Sequence, residues 1–461
     1  MKRAFDQTKD AQEEAFEAIK DGASTLIMGP GGSGKSTLIE KIRNHFEANN
    51  IRFAVTATTG QAALNIGGCT FHSFCGFGIA QGDLKSLEAK YMNNKYLLKR
   101  WNEIEVLIVD EISMLDPEYL DKVDHLARIL RNTKKVMGGV QLVFLGDFFQ
   151  LPPVQKNHST PKFCFEVSQW PHYFDHIVFF DTIYRQKDPV FAALLNRVRL
   201  GTTHSSDHLI LSSRVNAVLD GDVEPTRLVP TLDQARAINQ QELAKIDAPL
   251  VTWKGRLGFL TADQVRMKKA GKLDPKPLRE DKFTDHQLQL GDTLIKNTPI
   301  GEPLLSLKVG ARVLLTVNLD ATKGLVNGSR GIITSIQGTT VYVRFEEEHL
   351  IPPYTWSMED PSSHGLITYR QIPLKLAYAI TVHKSQSMSL DHVRIDLRRI
   401  FSEGQVYVAL SRVKSLDGLT LDSYDAGDIK CNAKVQKYET LLRKALARGL
   451  QGKEAASWIR K

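Results

Sequence analysis

Residues 29 to 37 read Gly29-Pro30-Gly31-Gly32-Ser33-Gly34-Lys35-Ser36-Thr37, the spacing G-x-x-x-x-G-K-[ST] in full. Glycines here let backbone N–H groups turn inward around phosphate oxygens, the lysine reaches the outer phosphates, and the hydroxyl after it can hold Mg²⁺. An apolar stretch from Thr25 to Met28 precedes the loop and a helical run follows it, so the positive end of a helix dipole adds to the pull on anions. That context separates the loop from a glycine-rich turn that binds nothing. A nucleoside triphosphate is the expected ligand of Gly29, Gly31, Gly32, Ser33, Gly34, Lys35, Ser36 and Thr37.

Two further segments end in groups that suit phosphoryl transfer, a reaction that needs positioning and charge neutralisation more than covalent chemistry. The apolar run Val106 to Val109 delivers Asp110-Glu111, as a buried parallel strand would. Asp110 is expected to hold Mg²⁺ beside Ser36, and Glu111 to orient or deprotonate the attacking water. A second run, Gln141 to Gly146, leads into Asp147-Phe148-Phe149-Gln150-Leu151-Pro152-Pro153, with Gln150 either sensing the γ-phosphate or serving as a polar loop residue. A guanidinium brought from another domain speeds such reactions by about 10³ to 10⁵. Arg185, in Thr182-Ile183-Tyr184-Arg185-Gln186, and Arg412, in Val408-Ala409-Leu410-Ser411-Arg412, are the candidates, against the alternative of surface ion pairs.

Segments Thr58-Thr59-Gly60-Gln61-Ala62-Ala63, Thr70-Phe71-His72-Ser73-Phe74 and Thr381-Val382-His383-Lys384-Ser385-Gln386 mix hydroxyls, rings and a cation. Hydroxyls and amides suit nucleic-acid phosphates, and rings offer stacking faces to unpaired bases. The competing reading makes Phe71 and Phe74 core residues and His72 a satisfied buried histidine.

The elements that must carry these residues alternate. Apolar strands at Thr25 to Met28, Phe53 to Thr56, Val106 to Val109, Leu142 to Leu145 and Ile177 to Phe180 are separated by helical stretches, which argues for a parallel sheet covered by helices. Ligands bind at the carboxyl ends of such strands, where the loop, Asp110-Glu111 and Asp147 all fall. Residues 75 to 100 read as a small insertion. A second α/β unit is expected from Pro189, with a strand at Thr226 to Pro230 and a helix at Asp233 to Ile246, resuming near Leu374. Between them, residues 305 to 372 carry short strands and the turns Asn327-Gly328 and Gln337-Gly338, which suggest a small closed barrel. Residues 257 to 290 show no clear period.

At 461 residues the chain is too long for one ordinary core. Its 42% hydrophobic and 24% charged content are globular, and no apolar run reaches bilayer length or forms a signal-peptide core, so an intracellular protein without membrane contact is expected. Cys69, Cys75, Cys164 and Cys431 lack C-x-x-C spacing, which indicates reduced thiols and neither a zinc site nor a disulfide framework. A net charge of +8 favours a polyanionic partner only modestly at this length.

Taken in order, these segments resemble the Pif (petite integration frequency) family of superfamily-one DNA helicases. The phosphate loop, Ala57 to Ala63 with Ile66 to Phe74, and Leu107 to Met114 are similar to successive family motifs. Leu120-Asp121-Lys122-Val123-Asp124-His125-Leu126-Ala127-Arg128 with Gly138-Gly139-Val140-Gln141-Leu142 resembles the segment that sets this family apart. Gly146 to Pro153, Tyr184-Arg185-Gln186, Leu325 to Gly328, Ala377 to Gln386 and Val406 to Arg412 complete the series, which covers about Gln12 to Leu416.

The resemblance implies an α/β chain with two RecA-like parallel-sheet cores, a wedge insertion in the first and an SH3-like β-barrel insertion in the second. The corresponding division is 1–74 with 101–188, 75–100 for the wedge, 189–304 with 373–461, and 305–372 for the barrel. It implies ATP and Mg²⁺, with Gln12 reading adenine and Gln150, Arg185 and Arg412 sensing the γ-phosphate. Thr59, Gly60, Thr70, His72, Ser73, Pro152, Thr381, His383 and Lys384 would meet single-stranded DNA, and forked or tailed duplex would be unwound 5′ to 3′ by a monomer. A bacterial or phage member would act in the cytoplasm, a eukaryotic or viral one in the nucleus or a viral factory. Replication, repair or recombination is the setting. The family's usual glycine after His-Lys-Ser-Gln is Ser387 here. Alternatives are a DNA-stimulated ATPase switch, a translocase without strand separation, and a RecD-like or Dda-like helicase, against which the Leu120 to Leu142 segment argues.

Overall fold

Short apolar runs in the first two hundred residues become a single sheet because each is bounded by a turn or a cap and is apolar on both faces. The computed structural model describes residues 2–460 apart from 79, 81, 154–160, 220–223, 270–275, 299, 321–322, 361–362, 364, 387, 398–399 and 401–402. Two units are present, one formed by residues 1–207, 402–408 and 429–461, the other by 208–401 and 409–428.

In the first unit the elements are α1 (Lys2–Lys20), β1 (Thr25–Met28), α2 (Lys35–Ala48), β2 (Phe53–Ala57), α3 (Gly60–Asn65), β3 (Cys69–Thr70), α4 (Phe71–Cys75), α5 (Leu84–Tyr91), α6 (Lys95–Glu103), β4 (Val106–Asp110), α7 (Pro117–Leu130), β5 (Gln141–Gly146), β6 (His176–Phe179) and α8 (Pro189–Leu200). The six strands form one sheet in the order β3-β2-β4-β5-β1-β6, every pair parallel. Side chains alternate across it. Leu107 and Val109 of β4 join one apolar cluster with Leu26 and Met28, whereas Val106 and Ile108 join the opposite cluster with Ile27, Val143 and Leu145. A sheet buried on both faces therefore reads as continuous apolar sequence. Its strand order places β1, β4 and β5 side by side, so that the residues following them meet at one edge.

The insertion after α4 packs on the first of these clusters. Phe77 stacks on Trp101 of α6 at 6.0 Å between ring centroids, and Tyr91 of α5 donates its hydroxyl hydrogen to the Phe77 carbonyl at 3.0 Å. Met92 and Tyr96 remain exposed between and on these helices.

The second unit holds a four-stranded parallel sheet, Ala379–Thr381, Thr226–Val229, Val393–Asp396 and Leu419–Ser423. Its antiparallel part is larger than the sequence suggests. Strands Arg312–Leu315, Arg330–Gln337, Thr340–Arg344, Glu348–Ile351 and Leu374–Leu376 form a five-stranded sheet with a bulge between Ile333 and Ser335. A second sheet pairs Arg256–Leu260 with Leu278–Arg279 and Leu366–Gln371, and Leu366–Gln371 with Tyr354–Glu359. Residues 257 to 290, without period in the sequence, thus supply strands to this sheet and the start of helix Asp285–Asn297, which packs on Leu366–Gln371.

The structure divides the chain differently from the expected boundaries. Helix α8 stays with the first unit through Asp207, not with a second core from 189. Antiparallel pairing begins at Val251, and Leu374–Leu376 belongs to it, so 305–372 does not bound it. Residues 429–461, expected in the second core, pack with the first, because Val435, Tyr438, Leu442, Ala445 and Ala455 fill its cluster and Phe165 stacks on Tyr438 at 4.2 Å. No described helix is long and apolar enough to cross a membrane.

Candidate active site

The loop between β1 and α2 is shaped by its glycines. Gly32 and Gly34 have φ of 83° and 90°, a region open to glycine at little cost, and Gly34 caps α2. A Cβ on Gly32 would lie 2.6 Å from Cβ of Arg185, and one on Gly34 would collide with Nε2 of Gln12, so Arg185 and Gln12 flank the loop directly. Lys35 is buried and donates to the Gly29 and Pro30 carbonyls at 2.7 and 2.9 Å. Burial pulls its ammonium below the ordinary lysine value, and Asp147, Glu111 and Asp110 oppose that shift. Ser36 and Thr37 are exposed in the first turn of α2.

Asp110, the last residue of β4, is buried, and its Oδ1 accepts the Glu111 N–H at 2.9 Å. Burial and the Glu111 charge push its carboxyl up to about 7, with Lys35 working the other way. Glu111 sits at φ 55°, an uncommon conformation for a side-chain-bearing residue and one that gathers at functional sites. Its Oε2 is buried without a hydrogen-bond partner. Two buried carboxylates, one with an unpartnered oxygen, have the chemistry to fit a small divalent cation, and Mg²⁺ needs only one or two protein ligands when phosphates and water supply the rest.

After β5 the chain places Asp147 and Gln150, both buried, with the Gln150 N–H donating to the Asp147 carbonyl at 3.0 Å. Asp147 meets a group that sequence reading missed. Arg199 of α8 donates to Asp147 from Nε at 3.0 Å and from Nη2 at 2.8 Å, and to Glu439 from Nη2 at 2.8 Å. Burial disfavours the Arg199 charge, yet Asp147 and Glu439 together hold its pKa above the usual arginine value. Asp147 marks a buried acid that must find a cation, but nothing in the sequence says which arginine. Arg185 is half-buried; burial lowers its pKa, and Tyr407 and Glu111 oppose the shift.

Residues 7–208 match the family model described as PIF1-like helicase, and residues 294–336 match that of the DNA helicase Pif1 2B domain. The human ATP-dependent DNA helicase PIF1 is 32% identical over 98% of this chain and 67% of its own length. The chain belongs to the PIF1-like helicase family. A Bacteroides Pif1 in complex with ADP-AlF4 has a TM-score of 0.76 at 29% identity over 95% of this chain and 97% of its own. A Bacteroides Pif1 bound to single-stranded DNA has a TM-score of 0.61 at 26% identity, covering 96% of this chain and 98% of its own. The parallel sheets of the two units accord with the two RecA-like cores of a Pif1 helicase. The chain spans about two thirds of the length of the curated relatives it matches.

The nucleic-acid candidates of this PIF1-like helicase fall in both units. In the first, Thr59 caps α3 by accepting the Ala62 N–H at 3.2 Å, and Thr70 caps α4 by accepting that of Ser73 at 3.2 Å. Gly60 opens α3, His72 stacks on Tyr119 at 4.0 Å, and Pro152 is half-buried. Burial lowers the His72 pKa, against the pull of Asp116. In the second, Thr381 caps the short helix Val382–Ser385 by accepting the Lys384 N–H at 3.1 Å, His383 is exposed, and Lys384 is half-buried near Glu302. Arg412 belongs to this second unit, is buried, and donates to Ser411 Oγ at 2.7 Å. Ser387 lies outside the described residues.

Proposed function

We propose that this chain is an ATP-driven motor that moves 5′ to 3′ along single-stranded DNA and unwinds forked or tailed duplex as a monomer. The observation that carries the reading is the phosphate loop facing Asp110 and the unpartnered Glu111 oxygen in a member of a helicase family. Lys35 binds the outer phosphates, Ser36 and Asp110 hold Mg²⁺, and Gln12 recognises adenine. When bound, Mg²⁺ would neutralise phosphate charge. Glu111 takes a proton from the attacking water or orients it, and Gln150, Arg185 and Arg412 respond to the γ-phosphate.

Thr59, Gly60, Thr70, His72, Ser73, Pro152, Thr381, His383 and Lys384 contact the strand, and the insertion that holds Phe77 and Trp101 parts the duplex. Such a substrate places its work inside a cell or a viral factory. The test is unwinding of paired forks bearing only a 5′ or only a 3′ single-stranded tail. Unwinding of the 5′-tailed fork alone is expected. Unwinding of the 3′-tailed fork alone would reject the polarity, and ATP consumption with neither fork unwound would favour a switch or a translocase.

A further inference from the structure

One side chain outside the groups assigned above reaches the phosphate loop. Tyr407, in the helix Gln405–Leu410, is buried, and its Oη accepts the Gly31 N–H at 3.0 Å. Amides of this loop are the donors that a phosphate oxygen takes. The segment before Tyr407 is pressed onto the chain that carries Gln150: Gly404 has φ 74°, and a Cβ there would lie 2.8 Å from the Gln150 carbonyl oxygen and collide with that of Phe149. The guanidinium groups of Arg185 and Arg199 both feel the Tyr407 hydroxyl electrostatically. Its oxygen thus takes a loop amide that a phosphate oxygen would take.

We propose that Tyr407 sets the affinity of the site for nucleotide, its hydroxyl holding the Gly31 amide in competition with a phosphate oxygen. The inference rests on the ATP reading above. To bind, a triphosphate must displace the phenol from Gly31. Tyr407 lies next to Val408, after which the chain passes from the first unit to the second.

The Tyr407→Phe variant keeps the ring and removes only the competing hydroxyl. In the full chain without DNA, it should bind a fluorescent ADP about two- to tenfold more tightly, the factor expected of one neutral hydrogen bond. The KM for ATP should fall by a similar factor, a direction that loss of packing alone would not produce. Tyr407→Leu should shift affinity in the same direction and serves if the phenylalanine variant does not fold. Equal or weaker binding by the variants, with the unsubstituted protein binding normally, would overturn the Tyr407 proposal alone. No binding by the unsubstituted protein would overturn the ATP reading and this proposal with it.

Discussion

Lys35 donates to two loop carbonyls and feels three carboxylates, so its ammonium is the positive side-chain charge held within the loop. Lys35→Ala should abolish ATP hydrolysis and unwinding while leaving single-strand binding largely intact, measured by phosphate release and by anisotropy of a labelled oligonucleotide. A variant that still unwinds would remove the loop from the mechanism. Lys35, Asp110 and Glu111 were legible because each is announced by its immediate neighbours, a glycine spacing in one case and an apolar strand ending in acids in the other. Arg199 and Tyr407 were not. Arg199 meets acids 52 and 240 residues away, and Tyr407 meets Gly31 across 376 residues, separations at which local pattern carries no information.

At the scale of elements, the insertion after α4 owes its order to Trp101, which is fully buried, stacks on Phe77 and donates Nε1–H to the Cys75 carbonyl at 3.3 Å. Trp101→Ala should cost about 3–5 kcal/mol through lost burial and the cavity left behind. Duplex unwinding should fall more than DNA-stimulated ATP hydrolysis; equal loss of both would show that the insertion does not part strands. The parallel strands were readable from apolar runs. The role of the threonines was harder to read, since Thr59, Thr70 and Thr381 each cap a short helix and a capping hydroxyl has the same sequence signature as a phosphate contact. Residues 257 to 290 were silent because Arg256–Leu260 pairs with Leu366–Gln371, far along the chain, and Leu278–Arg279 is an exposed edge of two residues, too short to show alternation.

The whole molecule has a balance of charge that responds to pH. Lys375, in Leu374–Leu376, has its ammonium pushed down to about 7 by burial, with Lys384 adding to the shift and Glu302 opposing it, from an ordinary 10.5. Between those values the unfolded chain binds more protons than the folded one, so this residue disfavours folding most below pH 7 and progressively less as pH rises. Lys375→Met should therefore raise the thermal midpoint more at pH 6 than at pH 9, and an equal rise at both would contradict the assignment.

The C-terminal helices Ala433–Ala447 and Gly452–Trp458 complete the first unit's core around Trp170, whose Nε1–H donates to Tyr438 Oη at 2.9 Å. A chain ended at Asp428 should bind hydrophobic dyes and lose nucleotide affinity, and cooperative melting of that truncated chain with nucleotide affinity intact would refute this. The same closure orders events on the ribosome. The phosphate loop emerges early, yet the helix that seals its core is made on the order of tens of seconds later at ordinary rates of synthesis. A nascent chain therefore carries a complete nucleotide motif without a working engine until the helices Ala433–Ala447 and Gly452–Trp458 have been made.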